Sequence, residues 1–377
     1  MTRSPLRSGL RRLYRSLWPA EPVRSAYLAE AFPAAVPHVL LEGESVPTPE
    51  TATMDIEPFA SYLEAPEYQC PEVVTTPLSN ALYCPVNDCL MNQNRQVVRE
   101  TTGPGGRVAG LNCKALFRTE IEKLEGVWTA FRSPFNDFYH FLIDNLSRLD
   151  LLHFKYFKQF GTINVFCPGG PTSLESYFLE KLNLPNLRAV DVAPDRLYQP
   201  DTYLFISFIT RRASGYLRGP FIQRLHQSLH LNALAVDRPP AKKVYISRAF
   251  AKKGRQIRNE TALMNALAPL GFEAFVLEHL PIEEQINVFR SADCVVAPHG
   301  AGLANLIFSK STRVIELFAS DYVVPHFYLL SKSLGHQYTY VLGSQPHHDD
   351  NFTVDINSVL GGLDRLLDGS PQVPPVC

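Results

Sequence analysis

The clearest pattern in the chain lies after residue 240, where short apolar runs alternate with helix-spaced apolar positions. The runs Lys243–Ser247, Glu273–Leu277, Cys294–Ala297, Arg313–Phe318 and Tyr338–Leu342 predict strands. The 3.6-residue spacing in Glu260–Ala268, Ile282–Ser291, Gly302–Phe308 and Pro325–Ser333 predicts helices between them. Repeated βα units with short connections predict a parallel, doubly wound sheet whose ligands sit at the carboxyl ends of its strands. From about residue 60 to 235 the alternation is less regular, with strands at Gly126–Phe131, Ile163–Cys167 and Tyr203–Ile209 and helices at Asp137–Leu152 and Leu174–Leu182. Asp237-Arg238-Pro239-Pro240 marks the boundary between the halves.

Near the start, Leu6, Leu10, Leu13, Tyr14, Leu17 and Trp18 fall at helical spacing among Arg7, Arg11, Arg12 and Arg15. A basic amphipathic helix over residues 3–18 fits three roles: docking on the domain, lying on an anionic membrane surface, or serving as an Arg-rich transit segment. The prolines at 33, 37, 47, 49 and 58 then predict a connecting segment rather than core. The expected organisation is a lead-in over 1–59, an α/β domain over 60–236, a second α/β domain over 237–345 and a closing loop and helix over 346–377.

Composition narrows the function classes. Of 377 residues 45% are hydrophobic, enough for a packed core, which excludes disorder as the main state. Thirty-six basic residues against 37 acidic ones give no overall attraction for nucleic acid. The seven cysteines form no Cys-x-x-Cys pair, which points to a reduced compartment. Apolar runs fall short of the roughly 18–20 residues that cross a bilayer, and the N-terminus lacks the apolar core of a secretory signal. The expected location is the cytoplasm, with the inner face of the membrane as the variant that the basic helix allows. The sequons at Asn145, Asn259 and Asn351 are discounted, the first because it falls in a helix carrying candidate functional residues.

The densest candidate chemistry is Asp293-Cys-Val-Val-Ala-Pro-His-Gly-Ala-Gly-Leu-Ala-Asn-Leu-Ile-Phe308, a strand, a small-residue turn and a helix start. Gly300, Ala301 and Gly302 let a phosphate reach the backbone N–H groups, those of Leu303 included, and the helix end adds partial positive charge. The alternative is a tight turn that only serves close packing. A dinucleotide fingerprint needs a third glycine where Asn305 stands, so a nicotinamide enzyme is disfavoured. Glu316, ending the next strand, suits the two hydroxyls of a ribose or a surface ion pair. Arg248 at a strand end and Arg258 beside a helix start suit a diphosphate through forked hydrogen bonds, whereas Lys252 and Lys253 read as a solvated run.

In the first half, His140 and Asp144 are i and i+4 on one helix face with Ser147. An imidazole oriented by a carboxylate is a proton acceptor, although such a pair also occurs as a satisfied core contact. The sequence contains no Asp-x-Asp of the kind that holds a divalent ion on a nucleotide diphosphate, and His347-His348-Asp349-Asp350 reads as a polar loop, so no metal is expected.

Together, Tyr245-Ile-Ser-Arg248, Arg258-Asn-Glu260, Leu280-Pro-Ile-Glu-Glu-Gln285-Ile, Pro298-His299-Gly-Ala-Gly-Leu-Ala-Asn305-Leu-Ile-Phe308, Val314-Ile-Glu316-Leu and Phe138-Tyr-His140-Phe-Leu-Ile-Asp144 resemble glycosyltransferase family 61 across roughly residues 128–320. That resemblance implies a GT-B arrangement, two Rossmann-like domains with parallel sheets facing a cleft, acceptor on the N-terminal side and donor on the C-terminal side. It implies inverting transfer from a nucleotide-diphosphate sugar, a UDP-sugar by preference, to a hydroxyl of a glycan, glycolipid or other acceptor, as in cell-surface or capsular polysaccharide synthesis. His140 or Asp144 would then be the base, and Arg248, Arg258, His299, Gly300, Ala301, Gly302, Leu303, Asn305 and Glu316 the donor site. A nucleotide-sugar-binding protein without turnover and a dinucleotide oxidoreductase are the alternatives.

Overall fold

The computed structural model describes residues 23–47, 57–59, 67–210, 214–231, 242–251, 254–346 and 349–367. The residue 3–18 helix, the Asp237–Pro240 boundary, Lys252, Lys253 and the His347-His348 pair lie outside them. Among the described residues no helix is long and apolar enough to cross a membrane.

In the first half the Val-, Ile- and aromatic-rich runs become β1 (Val73–Leu78), β2 (Ile121–Thr129), β3 (Ile163–Pro168), β4 (Leu187–Val192) and β5 (Leu197–Ile206). Strands β5, β2, β3 and β4 lie side by side and parallel, the Rossmann-like part of the sheet. On the other edge β5 pairs antiparallel with β1 and with Leu82–Cys84, extending a mixed sheet of ten strands. The prolines of the lead-in do not keep it out of this sheet. Ser25–Ala26 pairs with Val97–Val98, and His38–Leu41 pairs with β1, because the residues between the prolines are free to donate ladder hydrogen bonds.

The second half holds β6 (Lys242–Ile246), β7 (Phe272–Phe275), β8 (Ala292–Pro298), β9 (Arg313–Phe318) and β10 (Gln337–Leu342), all parallel in the order β7-β6-β8-β9-β10. The strand order reverses between β6 and β8, so a crevice opens at their carboxyl ends, where Arg248 and His299 follow the two strands. Helices among the described residues include α1 (Phe138–His140), α2 (Leu146–Asp150), α3 (Ser173–Leu182), α4 (Gly219–Ser228), α5 (Glu260–Leu267), α6 (Ile282–Arg290), α7 (His326–Leu334) and α8 (Ile356–Leu367). The closing helix α8 belongs to the second sheet: a Cβ on Gly362 would stand 3.5 Å from Ile315 and 3.8 Å from Thr339.

Two local conformations depart from the expected α-helix. Between α1 and α2 the backbone is π-helical over Phe141–Asn145, the wider winding often found at functional sites. After β8, Ala301–Phe308 is a 3-10 helix. Its residues are apolar except for Asn305, and Leu303–Phe308 are buried, because it is wedged between the halves. Phe308 stacks on Phe178 of α3 at 6.2 Å between centroids, and one hydrophobic cluster runs through both sheets. This wedge brings the His140 segment and the glycine turn together.

Candidate active site

Two polar clusters meet at this junction. In the first, His140 Nδ1 lies 2.6 Å from Asp144 Oδ2, with Asp144 fully buried and the His140 side chain 29% exposed. The other carboxylate oxygen, Oδ1, accepts from Thr210 Oγ1 at 2.9 Å and from Ser214 Oγ at 2.8 Å. Asp144 therefore accepts three hydrogen bonds and, being fully buried, presents no oxygen to solvent. Its role is to hold the Nδ1–H tautomer of His140, which makes Nε2 the basic nitrogen. The sequence left the base open between these two residues; in the structure Asp144 holds the buried, orienting position and His140 keeps its side chain partly exposed. Ser147, on the same helix face by spacing, donates instead to Ile143 O at 2.6 Å. Thr210 and Ser214 carried no sequence signal beyond following β5, whose carboxyl end faces the same junction.

The second cluster surrounds the glycine turn. Gly300 is extended, with φ 170° and ψ 168°, so its value is space rather than left-handed backbone: a Cβ there would overlap Arg248 Nη1. Gly302 packs tightly, since a Cβ there would stand 2.8 Å from the end of the Leu277 side chain. Leu303 N–H donates to Gly300 O at 3.0 Å, the i to i+3 bond of the 3-10 turn, which removes it from the expected set of free amides. The N–H groups of Ala301 and Gly302 have no backbone partner among the described residues. The niche bordered by Arg248, Glu278, Gly300 and Gly302 has a volume of about 30 Å³, too small to enclose a diphosphate, and the turn is more open on its half-buried Ala301–Gly302 side.

The two arginines expected here separate. Arg248 lies on the turn; its Nη2 donates to Gly254 O at 3.2 Å, and its Nε is buried without a partner. Burial, then the nearby charge of Arg255, pulls its pKa down to about 10, so it remains a cation at neutral pH. Arg258 instead grips the exposed Asp349 with two contacts of 2.9 Å. The second cation acting on the site is Arg255, whose left-handed backbone, φ 60°, redirects its side chain to within 5.7 Å of the Tyr322 ring centroid. The charge of Arg255 acts on Arg248, His299 and Glu316. Neither Arg248 nor Arg255 has a carboxylate partner among the described residues. Arg255, Tyr322, Asp321 and Asp350 line a cavity of about 370 Å³ beyond the end of β9.

Glu316 does not reach a ribose. It is fully buried, with Oε1 2.5 Å from His299 Nδ1 and Oε2 accepting from Tyr338 OH at 2.6 Å. Burial pushes its pKa up to about 8 and pulls that of His299 well down. The protonated carboxyl thus donates to Nδ1 and leaves Nε2–H as the imidazole's donor. Asn305 is also buried away from any ligand, its amide donating to Gln285 Oε1 at 3.1 Å and Gly302 O at 3.0 Å, so it braces the turn.

Glutamine at 316 reproduces the neutral acid, donating to His299 and accepting from Tyr338. Glu316→Gln is therefore expected to keep activity within several-fold, whereas Glu316→Ala loses it. Stability follows the same proton. The folded carboxyl holds a proton that the unfolded chain releases above its ordinary value of 4.5, so stability falls as pH rises from there to about 8. His299 acts oppositely, lowering stability as pH falls below its ordinary 6.5. Melting temperatures from pH 6.5 to 8 should decline in the wild type and stay flat in Glu316→Gln; parallel declines would remove this assignment.

A parallel sheet in β7-β6-β8-β9-β10 order, with Arg248 lying on a glycine turn at its switch point, defines a Rossmann-like α/β protein. Residues 138–315, a little under half of the chain, match the family model Glycosyltransferase 61. The chain is similar to Beta-1,2-xylosyltransferase RCN11 of Oryza sativa subsp. japonica, 33% identical over 94 residues, which is 24% of this chain and 16% of the relative. It is similar also to Beta-1,2-xylosyltransferase of Arabidopsis thaliana, 28% identical over 64 residues, 17% of this chain and 12% of the relative. The matched stretches thus span less than a fifth of each relative.

Proposed function

We propose that this protein is an inverting glycosyltransferase of GT-B organisation that moves a sugar from a nucleotide-diphosphate donor, a UDP-sugar, to a hydroxyl of a glycan or glycoconjugate. The observation that carries the reading is the pairing of a carboxylate-oriented imidazole, His140, with a glycine turn carrying the unpaired Arg248. The acceptor hydroxyl loses its proton to His140 Nε2 as its oxygen attacks the anomeric carbon from the face opposite the nucleotide. The glycosidic C–O bond to the diphosphate breaks with inversion. Negative charge growing on the departing oxygens is met by Arg248, Arg255, His299 Nε2–H and the Ala301 and Gly302 amides, all fixed before reaction. These groups supply the counter-charge from the chain itself, which supports a reaction without a resident metal.

Xylose is the first sugar to test, because the names of both relatives carry it. A cytoplasmic role in cell-surface or capsular polysaccharide synthesis, with the basic N-terminal segment on the membrane's inner face, completes the proposal. The test is a thermal-shift panel of nucleotide diphosphates and their sugars, with and without EDTA, followed by transfer assays on the donors that bind. Stabilisation by a UDP-sugar, undiminished by EDTA, and transfer to a glycan are expected. A protein that binds such a donor but neither transfers nor hydrolyses it would be a binding protein instead.

Gly300→Ala offers an internal check on the turn. The added methyl group displaces the flexible end of Arg248, so transfer should fall about as far as in Arg248→Ala while the melting temperature changes little. A Gly300→Ala protein with full activity would separate Arg248 from the reaction.

A further inference from the structure

His326, outside the segment that matches the family, opens helix α7 at the junction of the two clusters. Its ring centroid lies 5.4 Å from Tyr139, the neighbour of His140, and 6.5 Å from His299. Its Nδ1 lies 2.7 Å from Ser214 O. A carbonyl oxygen only accepts, so Nδ1 carries the hydrogen and Nε2 of the neutral ring carries a lone pair. Burial lowers the pKa of His326, with His299 adding to the effect, which keeps the ring neutral at neutral pH. Nε2 has no hydrogen-bond partner among the described residues and is absent from their sealed, unpartnered atoms, so it opens to solvent.

The placement is rigid. Ser214 also donates to Asp144, and the next residue, Gly215, has φ +137° and packs so closely on His326 O that a Cβ there would overlap it. Its hydrogen bond to Ser214, which itself donates to Asp144, and its 6.5 Å approach to His299 place the His326 ring within reach of both half-sites. During transfer the sugar must stand between the base at His140 and the leaving diphosphate at the glycine turn. A side chain that borders both half-sites therefore borders the sugar. The other groups identified around the donor, Arg248, Arg255, His299 Nε2–H and the turn amides, are hydrogen-bond donors. Sugar hydroxyls need acceptors as well.

We propose that His326 is a specificity-determining residue whose Nε2 accepts a hydrogen bond from a ring hydroxyl of the transferred sugar. The inference rests on the glycosyltransferase reading and adds the contact that selects the donor sugar. A neutral hydrogen bond of this kind contributes about 3–10-fold in discrimination.

The test compares kcat/KM for UDP-xylose and its 2-, 3- and 4-deoxy analogues in the wild type and in His326→Asn. Asparagine keeps an N–H for Ser214 O, and so the local packing, but removes the acceptor at the Nε2 position. For one analogue the wild-type preference for the parent should collapse to about unity in His326→Asn, while the ratios for the other two stay unchanged. His326→Gln, longer and with an amide oxygen near the Nε2 position, should restore part of that preference. Wild-type ratios for all three analogues in His326→Asn overturn the assignment while leaving the glycosyltransferase reading intact. A wild-type protein that turns over no nucleotide sugar from the whole panel overturns both. A uniform drop for every donor in His326→Asn, with ratios preserved, also counts against it, because that is the signature of a structural role.

Discussion

His140→Ala is expected to abolish sugar transfer, by about 100- to 10,000-fold in turnover, while nucleotide affinity stays near the wild-type value. The proposed nucleotide half of the site is built from β6, β8 and the 3-10 helix, none of which depends on the His140 ring. Asp144→Asn should approach the same loss by a different route. The asparagine amide no longer obliges His140 to carry its hydrogen on Nδ1, and it faces Thr210 and Ser214, whose hydroxyls both donate to Asp144. The two variants differ in a measurable way: His140→Ala removes the imidazole, whereas Asp144→Asn leaves it in place but unoriented, so Asp144→Asn should retain a residual rate above that of His140→Ala. Transfer at the wild-type rate in His140→Ala, measured with saturating donor and acceptor, would remove this residue from the chemistry.

Arg248→Ala carries the second large effect, about 100- to 1,000-fold in turnover, the size associated with losing one preorganised partner of transition-state charge. Folding should tolerate the change, because Arg248 is a half-buried cation without a carboxylate partner among the described residues and its Nε makes no hydrogen bond. Arg255→Ala should act in the same direction through its field on Arg248 and His299. Arg258→Ala is the control. Its bridge to Asp349 is exposed, with side-chain accessibilities of 42% and 51%, and such pairs contribute about 0–1 kcal/mol, so transfer should be nearly unchanged. A ranking with Arg258 above Arg248 would show that the diphosphate lies elsewhere on the sheet.

Much of this site is legible without coordinates. The strands Lys242–Ile246, Ala292–Pro298 and Arg313–Phe318 fall within two residues of the apolar runs that predict them, because buried parallel strands read as continuous apolar segments. The His140–Asp144 contact follows from i, i+4 spacing, and Arg248 follows from its place at a strand end. The edge strands of the first sheet were not legible. Ser25–Ala26, His38–Leu41 and Val97–Val98 are two to four residues long, and their pairing partners lie far away in sequence. Arg255 and Arg258 could not be ranked either. They stand three residues apart in one basic loop, and only a left-handed turn at Arg255, stitched by its N–H to Asp350 O at 3.0 Å, decides which one faces the site.

Local sequence therefore determined the second α/β sheet, the glycine turn at the carboxyl end of its third strand in chain order, and the imidazole–carboxylate pair, because each depends on the periodicity or backbone freedom of contiguous residues. Tertiary structure decided what those residues do. Glu316 turns inward to His299 and Tyr338 because both of its oxygens are enclosed where β9 and β10 pack. Leu303 gives its amide to a 3-10 turn because the following helix is wedged between two sheets. Thr210, Ser214 and His326 join the site because a loop after one sheet closes on a helix packed on the other, a meeting of distant segments that no local pattern encodes.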